Sequence, residues 1–185
     1  MFTSNSREWQ PVGDGWRGEA GGGTNLFRSP VSGRVDTNAP MLLDTMAGDF
    51  IFSAQVTAGL RDVFDAAALV LFEDDQNWAK LCLEFSPALR PMIVSVVTRE
   101  VSDDCNHVEL TDASVYLRIA RMGGACAFHY STDGAEPWQL VRVFAISENA
   151  RVGLAVQSPR GSGCTATFTD MKYEARRLRD IRSGN

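Results

Sequence analysis

An all-β fold of two packed antiparallel sheets, a sandwich or jelly roll, is predicted by three features of this sequence. From Gly48 onward, apolar and polar residues alternate with a period of two in segment after segment, the pattern of half-buried strands. Turn-forming clusters, EDDQN, SPALRP, MGGA, TDGAEP, SENAR and SPRGSG, separate those segments at short intervals. No stretch between Phe50 and Tyr173 sustains a helical period. Many short strands so spaced imply two sheets closed face to face.

The elements follow in order. Residues 1–23 are rich in Gly, Trp and polar side chains and predict a loosely structured lead-in with edge strands, followed by the short apolar step TNLFR and the turn SPVSG. Phe50, Phe52 and Ala54 alternate with Ile51, Ser53 and Gln55, so the core sandwich begins there. Further strands are predicted at Ala67 to Phe72, Trp78 to Phe85, Met92 to Arg99, Val115 to Arg121, Ala125 to Ser131, Leu140 to Phe144, Val152 to Ser158 and Thr165 to Tyr173. Residues 1–173 are expected to form a single domain. The tail 174–185, EARRLRDIRSGN, has only Leu178 and Ile181 as sizeable apolar residues. It predicts a solvated helix or frayed terminus rather than a partner-binding basic helix.

Composition narrows the function classes. A length of 185 residues suits one domain. A net charge of -5 disfavours nucleic acid, whose phosphates are bound by clustered Lys and Arg. No apolar run approaches the roughly 20 residues that span a bilayer, and the polar start MFTSNSREWQ lacks a signal-peptide layout. A cytoplasmic protein with no membrane partner is expected. Cys82, Cys105, Cys126 and Cys164 form neither a CxxC nor a Cys/His zinc pattern and are read as free thiols. No cofactor or metal is expected; whether the acidic turn Glu73-Asp74-Asp75 holds calcium stays open, since no EF-hand spacing accompanies it.

The candidate ligand residues come from strand alternation. In Trp78 to Phe85, the apolar set Ala79, Leu81, Leu83 and Phe85 faces the core, so Trp78, Lys80, Cys82 and Glu84 face outward. Lys80 is one of two lysines in the chain, with Lys172. Lys80 and Glu84 lie roughly 13 Å apart along the strand, too far to pair with each other. A two-residue turn at Gly123-Gly124 sets Arg121 opposite Cys126, Arg118 opposite His129 and Tyr116 opposite Ser131. Tyr116, Arg118 and His129 then share an outer face, and a sandwich whose outer face curves inward gathers them with Lys80 and Glu84. Arg142 joins them if Val141 and Val143 point to the core. An aromatic platform beside charged donors and acceptors suits sugar rings. The segment STDGAEPW, from Ser131 to Trp138, is a loose Asp-box hairpin in which Asp133 bonds turn backbone and Gly134 supplies a positive φ. No carboxylate pair stands at the spacing of the E-x-D-x-x-E strand motif of glucanases.

Taken together, the blocks TNLF, DAAALVL, NWAKLCLE, SVVTREVSD, YLRIAR, YSTDG and VGLAVQSP resemble a concanavalin A-like lectin/glucanase family, that of regulation of enolase protein (domain of unknown function 1349). The resemblance runs from about Trp9 to Tyr173 and rests on the order and spacing of the blocks. It implies a concanavalin A-like jelly-roll sandwich and an association with sugar metabolism. The family pattern reads T-D-F-W and S-D-W-S where this chain has Thr24-Asn25-Leu26-Phe27 and Ser102-Asp103-Asp104-Cys105, so two tryptophans are lost. Tryptophans that lined a ligand face would leave this member with less stacking surface and a different ligand, whereas tryptophans that only packed would change only the fit. Lys80, Glu84, Thr98, Arg118 and Ser158 stand at matching positions and are carried over as binding candidates.

Three functions are consistent with these residues. The leading expectation is a carbohydrate-binding or sugar-metabolism accessory domain, with Trp78 or Tyr116 stacking and Lys80, Glu84, Arg118 and Arg142 bonding hydroxyls or an acid group. The second is a glycoside hydrolase or lyase with Glu84 as acid or base. The third is an interaction domain that regulates a metabolic enzyme, its partner a protein or a second copy of the chain.

Overall fold

The computed structural model describes residues 2–4 and 6–185; Met1 and Asn5, part of the expected lead-in, lie outside the described residues. Among the described residues there is no helix. The strands run in order: β1 (Trp9–Val12), β2 (Gly15–Gly21), β3 (Leu26–Arg28), β4 (Val35–Thr37), β5 (Met41–Asp44), β6 (Phe50–Ala58), β7 (Ala66–Asp74), β8 (Asn77–Phe85), β9 (Pro91–Arg99), β10 (Val101–Glu109), β11 (Ser114–Met122), β12 (Ala125–Ser131), β13 (Gln139–Ala145), β14 (Arg151–Gln157) and β15 (Gly163–Glu174). They form a seven-stranded sheet, β1-β2-β15-β6-β11-β12-β13, a six-stranded sheet, β10-β9-β8-β7-β14-β5, and the small hairpin β3-β4. All strand pairs within the sheets are antiparallel. The expected two-sheet sandwich is the architecture.

Alternation explains the main core. Phe50, Phe52, Leu69, Leu71, Ala79, Leu81, Leu83, Leu117, Ile119, Phe128 and Phe168 point between the sheets and are buried. Each large side chain so buried contributes about 1.5–3 kcal/mol. Phe85, expected in the same set, is only half-buried at the end of its strand. The β11-β12 hairpin has the predicted register, with Arg121 opposite Cys126, Arg118 opposite His129 and Tyr116 opposite Ser131.

Three features depart from the sequence expectation. First, the lead-in supplies the expected edge strand, β1, but is not loosely structured: β2 pairs with both β1 and β15, and Trp9 is buried against Phe168. Second, Val101–Glu109 forms the edge strand β10; it is exposed along most of its length, so no apolar alternation marks it. Third, the tail is neither a helix nor frayed. It folds back over the outer face of the seven-stranded sheet, where Leu178 is buried with Ile51 and Ala120 and Arg177 pairs with Asp49 at 2.7 Å.

A second apolar cluster lies on the outer face of the six-stranded sheet. Leu26 of β3 covers Trp78, Cys82, Val70, Val94 and Val96, and Arg28 N donates to Ser102 Oγ at 2.9 Å to hold the hairpin in place. The four cysteines are free, and three of them are buried. Burial pushes the Cys82 thiol up to about 12. In the acidic turn, Asp74 Oδ1 accepts the backbone N–H groups of Gln76 and Asn77, both at 2.8 Å, so this carboxylate is committed to the turn. No helix of the described residues is long and apolar enough to cross a membrane.

Candidate functional site

The two sheets separate the residues that the sequence reading gathers together. Lys80 and Glu84 lie on β8 in the six-stranded sheet, whereas Tyr116, Arg118 and His129 lie on β11 and β12 in the seven-stranded sheet. Outward from one sheet is the opposite side of the molecule from outward from the other. Local alternation gives the face of a strand but not its sheet, and the single shared face is therefore corrected to two.

On the six-stranded side, a cleft of about 290 Å³ opens between the sheet and the β3-β4 hairpin. Lys80, Glu84, Val94 and Val96 from β8 and β9 line its sheet side, with Gln157 of β14 and Asp104 of β10. Asn25, Phe27, Arg34 and Asp36 line the hairpin side, and Phe64 and Arg160 the remaining wall. Phe27 and Asp104, the two positions read from the sequence as departures from the family pattern, both line the cleft.

Lys80 is 2% exposed, and its Nζ donates to Gln157 Oε1 at 2.7 Å. Gln157 in turn donates from Nε2 to the Phe64 carbonyl at 3.2 Å. The lysine is thus positioned by a neutral amide, with no carboxylate within ion-pair distance among the described residues. Glu84 has no hydrogen-bond or ion-pair partner among the described residues, and its carboxyl reaches the cleft. Burial pushes that carboxyl up to about 7, with Lys80 opposing the rise and Asp104 adding to it. At neutral pH the cleft therefore holds an acid close to half-protonation, able both to donate and to accept a hydrogen bond.

The other cations of the cleft are engaged. Arg34 Nε pairs with Asp36 Oδ1 at 2.9 Å, and the Arg160 guanidinium lies 4.7 Å from the Phe64 ring centroid. Phe64 has φ 73°, a left-handed conformation that is uncommon for an aromatic residue and that concentrates at binding and catalytic positions.

Several sequence candidates have other surroundings. Trp78 faces outward on β8 but is fully buried beneath Leu26, so it offers no stacking surface to solvent; the reading of Trp78 as a platform is corrected by the hairpin that covers it. Thr98 is buried, its Oγ1 2.8 Å from Ser102 Oγ, within the anchor of the hairpin. Ser158 is buried and donates to Asp65 Oδ1 at 2.6 Å, while Asp65 Oδ2 accepts the N–H groups of Arg61 and Asp62. Arg142 pairs with Asp103 at 3.0 Å, linking β13 to β10 across the edges of the two sheets. Val141 packs against the core as expected, but Val143 is 37% exposed and Phe144 is the buried residue, because a bulge at Phe128/His129 shifts the register of β13.

On the seven-stranded side, Arg118 and His129 are nearly fully buried beneath the tail. Arg118 Nη2 donates to Gly184 O at 2.9 Å, and His129 Nε2 donates to Ile181 O at 2.9 Å. Burial, with Arg118 alongside, pushes the imidazole down to about 4, so it is neutral near pH 7. Burial lowers the Arg118 guanidinium to about 10, opposed by Glu136. Trp138 stacks on this guanidinium at 4.3 Å. The Asp-box-like turn folds as its residues predict: Asp133 Oδ1 accepts the Ala135 N–H at 2.9 Å, and Gly134 has φ 77°. A Cβ at Gly134 would stand 2.9 Å from the Tyr116 ring.

Gln157, Phe64, Phe27, Asp104 and Arg160 are cleft residues that sequence reasoning missed. Phe27 and Asp104 carried the one available signal, as departures from the family pattern.

Known proteins resemble this chain along most of its length. Regulation of enolase protein 1 of Saccharomyces cerevisiae is 26% identical over 155 residues, covering 82% of this chain and 77% of that protein. A crystal structure of a functionally unknown protein from Saccharomyces cerevisiae superimposes with a TM-score of 0.85 at 22% identity, over 95% of this chain and 96% of the other. The carbohydrate binding module CBM66 from Bacillus subtilis shares the fold at a TM-score of 0.58 and 14% identity, covering 94% and 95% of the two chains. The fold also recurs in the K247S mutant of the GH43 protein BlXynB from Bacillus licheniformis, at a TM-score of 0.74 and 15% identity, covering 95% of this chain and 36% of that longer chain. The family described as protein of unknown function (DUF1349) matches residues 2–176, and the chain belongs to that family.

Proposed function

We propose that this chain is a carbohydrate-binding accessory domain, with the cleft between the six-stranded sheet and the β3-β4 hairpin as its ligand site. The observation that carries the reading is the Glu84 carboxyl, left without a protein partner on the floor of a cleft walled by Phe27 and Phe64. The carboxyl is half-buried and open to the cleft, so its capacity to donate and accept hydrogen bonds is available to whatever enters. Aromatic walls suit the C–H faces of a sugar, and Glu84, Lys80 and Asp104 suit its hydroxyls. The name of the CBM66 neighbour agrees with a carbohydrate role, and that of the yeast relative agrees with a setting in sugar metabolism. A cytoplasmic location belongs to the same reading and is supported by the four free thiols. A thermal-shift screen over neutral sugars and sugar acids tests it: a stabilising hit that Glu84→Ala abolishes supports the proposal, and no hit in the panel counts against it.

One observation favours an enzymatic second reading. A carboxyl raised to about 7 by burial is poised for general acid or base work, so the domain would be a glycoside hydrolase or lyase acting through Glu84. Turnover of an oligosaccharide by the wild type and not by Glu84→Gln would select it. The yeast relative's name also supports an interaction domain acting on a metabolic enzyme; retention of purified enolase on the immobilised chain is the corresponding test.

A further inference from the structure

The seven-stranded face carries a smaller cleft of about 200 Å³, whose lining includes Tyr116, Arg118, Glu136 and Trp138. Arg118 is 4% exposed and its Nε is buried without a partner. Nη2 is taken by Gly184 O and the guanidinium face by Trp138. Nη1 has no hydrogen-bond partner among the described residues and is the part of the guanidinium left open to the cleft. An arginine stripped of water on every other side forms a strong charge-assisted hydrogen bond at its one open edge.

The neighbouring charges are matched among themselves. Lys172 pairs with Asp170 at 3.1 Å and Arg176 with Glu174 at 2.6 Å. What remains is Arg118 and the exposed Glu136, which is not within ion-pair distance of it. Tyr116 and Trp138 supply half-buried aromatic surface beside the open edge, and the volume limits an occupant to roughly one small ring.

We infer that this cleft is a second ligand site, on the opposite side of the sandwich from the first, which holds a sugar acid by its carboxylate on Arg118 Nη1 and by its ring against Trp138 and Tyr116. The C-terminal segment forms its back wall and fixes the arginine. Glu136 lies near Arg118 without pairing with it, and its carboxylate repels that of an incoming sugar acid. The site is independent of the cleft at Glu84.

Calorimetric titration of the full chain with galacturonate tests the inference, with galactose and methyl galacturonate as uncharged controls. Galacturonate is expected to bind at least tenfold more tightly than either control, and to weaken as NaCl is raised. Trp138→Ala should weaken it about tenfold, Glu136→Gln should tighten it severalfold, and Glu84→Ala should leave it within twofold. Glu136 is exposed, so its variant keeps the test decisive even if substitutions of buried Arg118 do not fold. Absence of galacturonate binding, equal binding of the methyl ester, or no gain in Glu136→Gln overturns the inference. Loss in Glu84→Ala with retention in Trp138→Ala also overturns it, by moving the ligand to the other cleft while leaving the proposed function intact.

Discussion

Lys80 Nζ donates to Gln157 Oε1 at 2.7 Å across the six-stranded sheet, so the buried lysine is held by an amide and leaves the nearby carboxyl of Glu84 free. The two groups are not within ion-pair distance of each other, so neither neutralises the other. A closed Lys-Glu pair has little to offer a ligand, whereas a positioned ammonium beside an unpartnered carboxyl presents both a donor and an acceptor.

The raised Glu84 carboxyl has a stability consequence. Its folded value, about 7, lies above the ordinary 4.5, so its contribution is fully present below pH 4.5 and is lost as pH rises through 7. Glu84→Gln removes that loss. The variant should be more stable than the wild type at pH 8, by on the order of 2 kcal/mol after allowance for partial exposure, and no more stable at pH 4.5. Urea denaturation at the two pH values checks this.

His129 acts in the opposite sense. Its imidazole is pushed down to about 4 from 6.5, so the stability it contributes is present above pH 6.5 and is lost as pH falls through 4. In a Glu84→Gln background, which removes the opposing titration, acidification from pH 7 to pH 4 should cost on the order of 3 kcal/mol through His129. His129→Phe should flatten this dependence, and thermal melts across the range measure it.

The tail is held by a close approach. Gly184 has φ 78°, and a Cβ there would collide with Arg118 Nη2. Gly184→Val should detach residues 176–185, expose Leu178 and cost about 1.5–3 kcal/mol from that side chain. Trypsin should then cleave at Arg176, Arg177, Arg179 and Arg182 at least tenfold faster than in the wild type, at unchanged rates elsewhere.

Trp78 is a packing residue in this structure. Trp78→Ala should cost about 3–5 kcal/mol by leaving a cavity under Leu26, and should loosen the β3-β4 hairpin. Hydrogen exchange at Leu26 and Phe27 checks the second effect.

The sequence was most informative where physics is local. Alternation in NWAKLCLE gives the inward set Ala79, Leu81 and Leu83, and a two-residue Gly turn gives the Arg118 to His129 register. The sheet to which each strand belongs depends on pairings between distant segments, so Lys80 and Arg118 share the outward orientation but not a face. The covering of Trp78 by Leu26 and the contact of Gln157 with Lys80 are likewise long-range. Strand β10, exposed along most of its length, has no pattern to read. The tail has few apolar residues of its own because Ile51 and Ala120 of the sheet supply the rest of the pocket for Leu178.

In the proposed function, a sugar binds in the cleft beside Glu84. Amide chemical-shift mapping of the full chain, titrated with a panel of neutral mono- and disaccharides, tests it most directly. Saturable shifts are expected for at least one sugar, clustered at Phe27, Phe64, Val94, Val96 and Gln157 and absent in Glu84→Ala. Shifts clustered elsewhere, or none with any member of the panel, would contradict it.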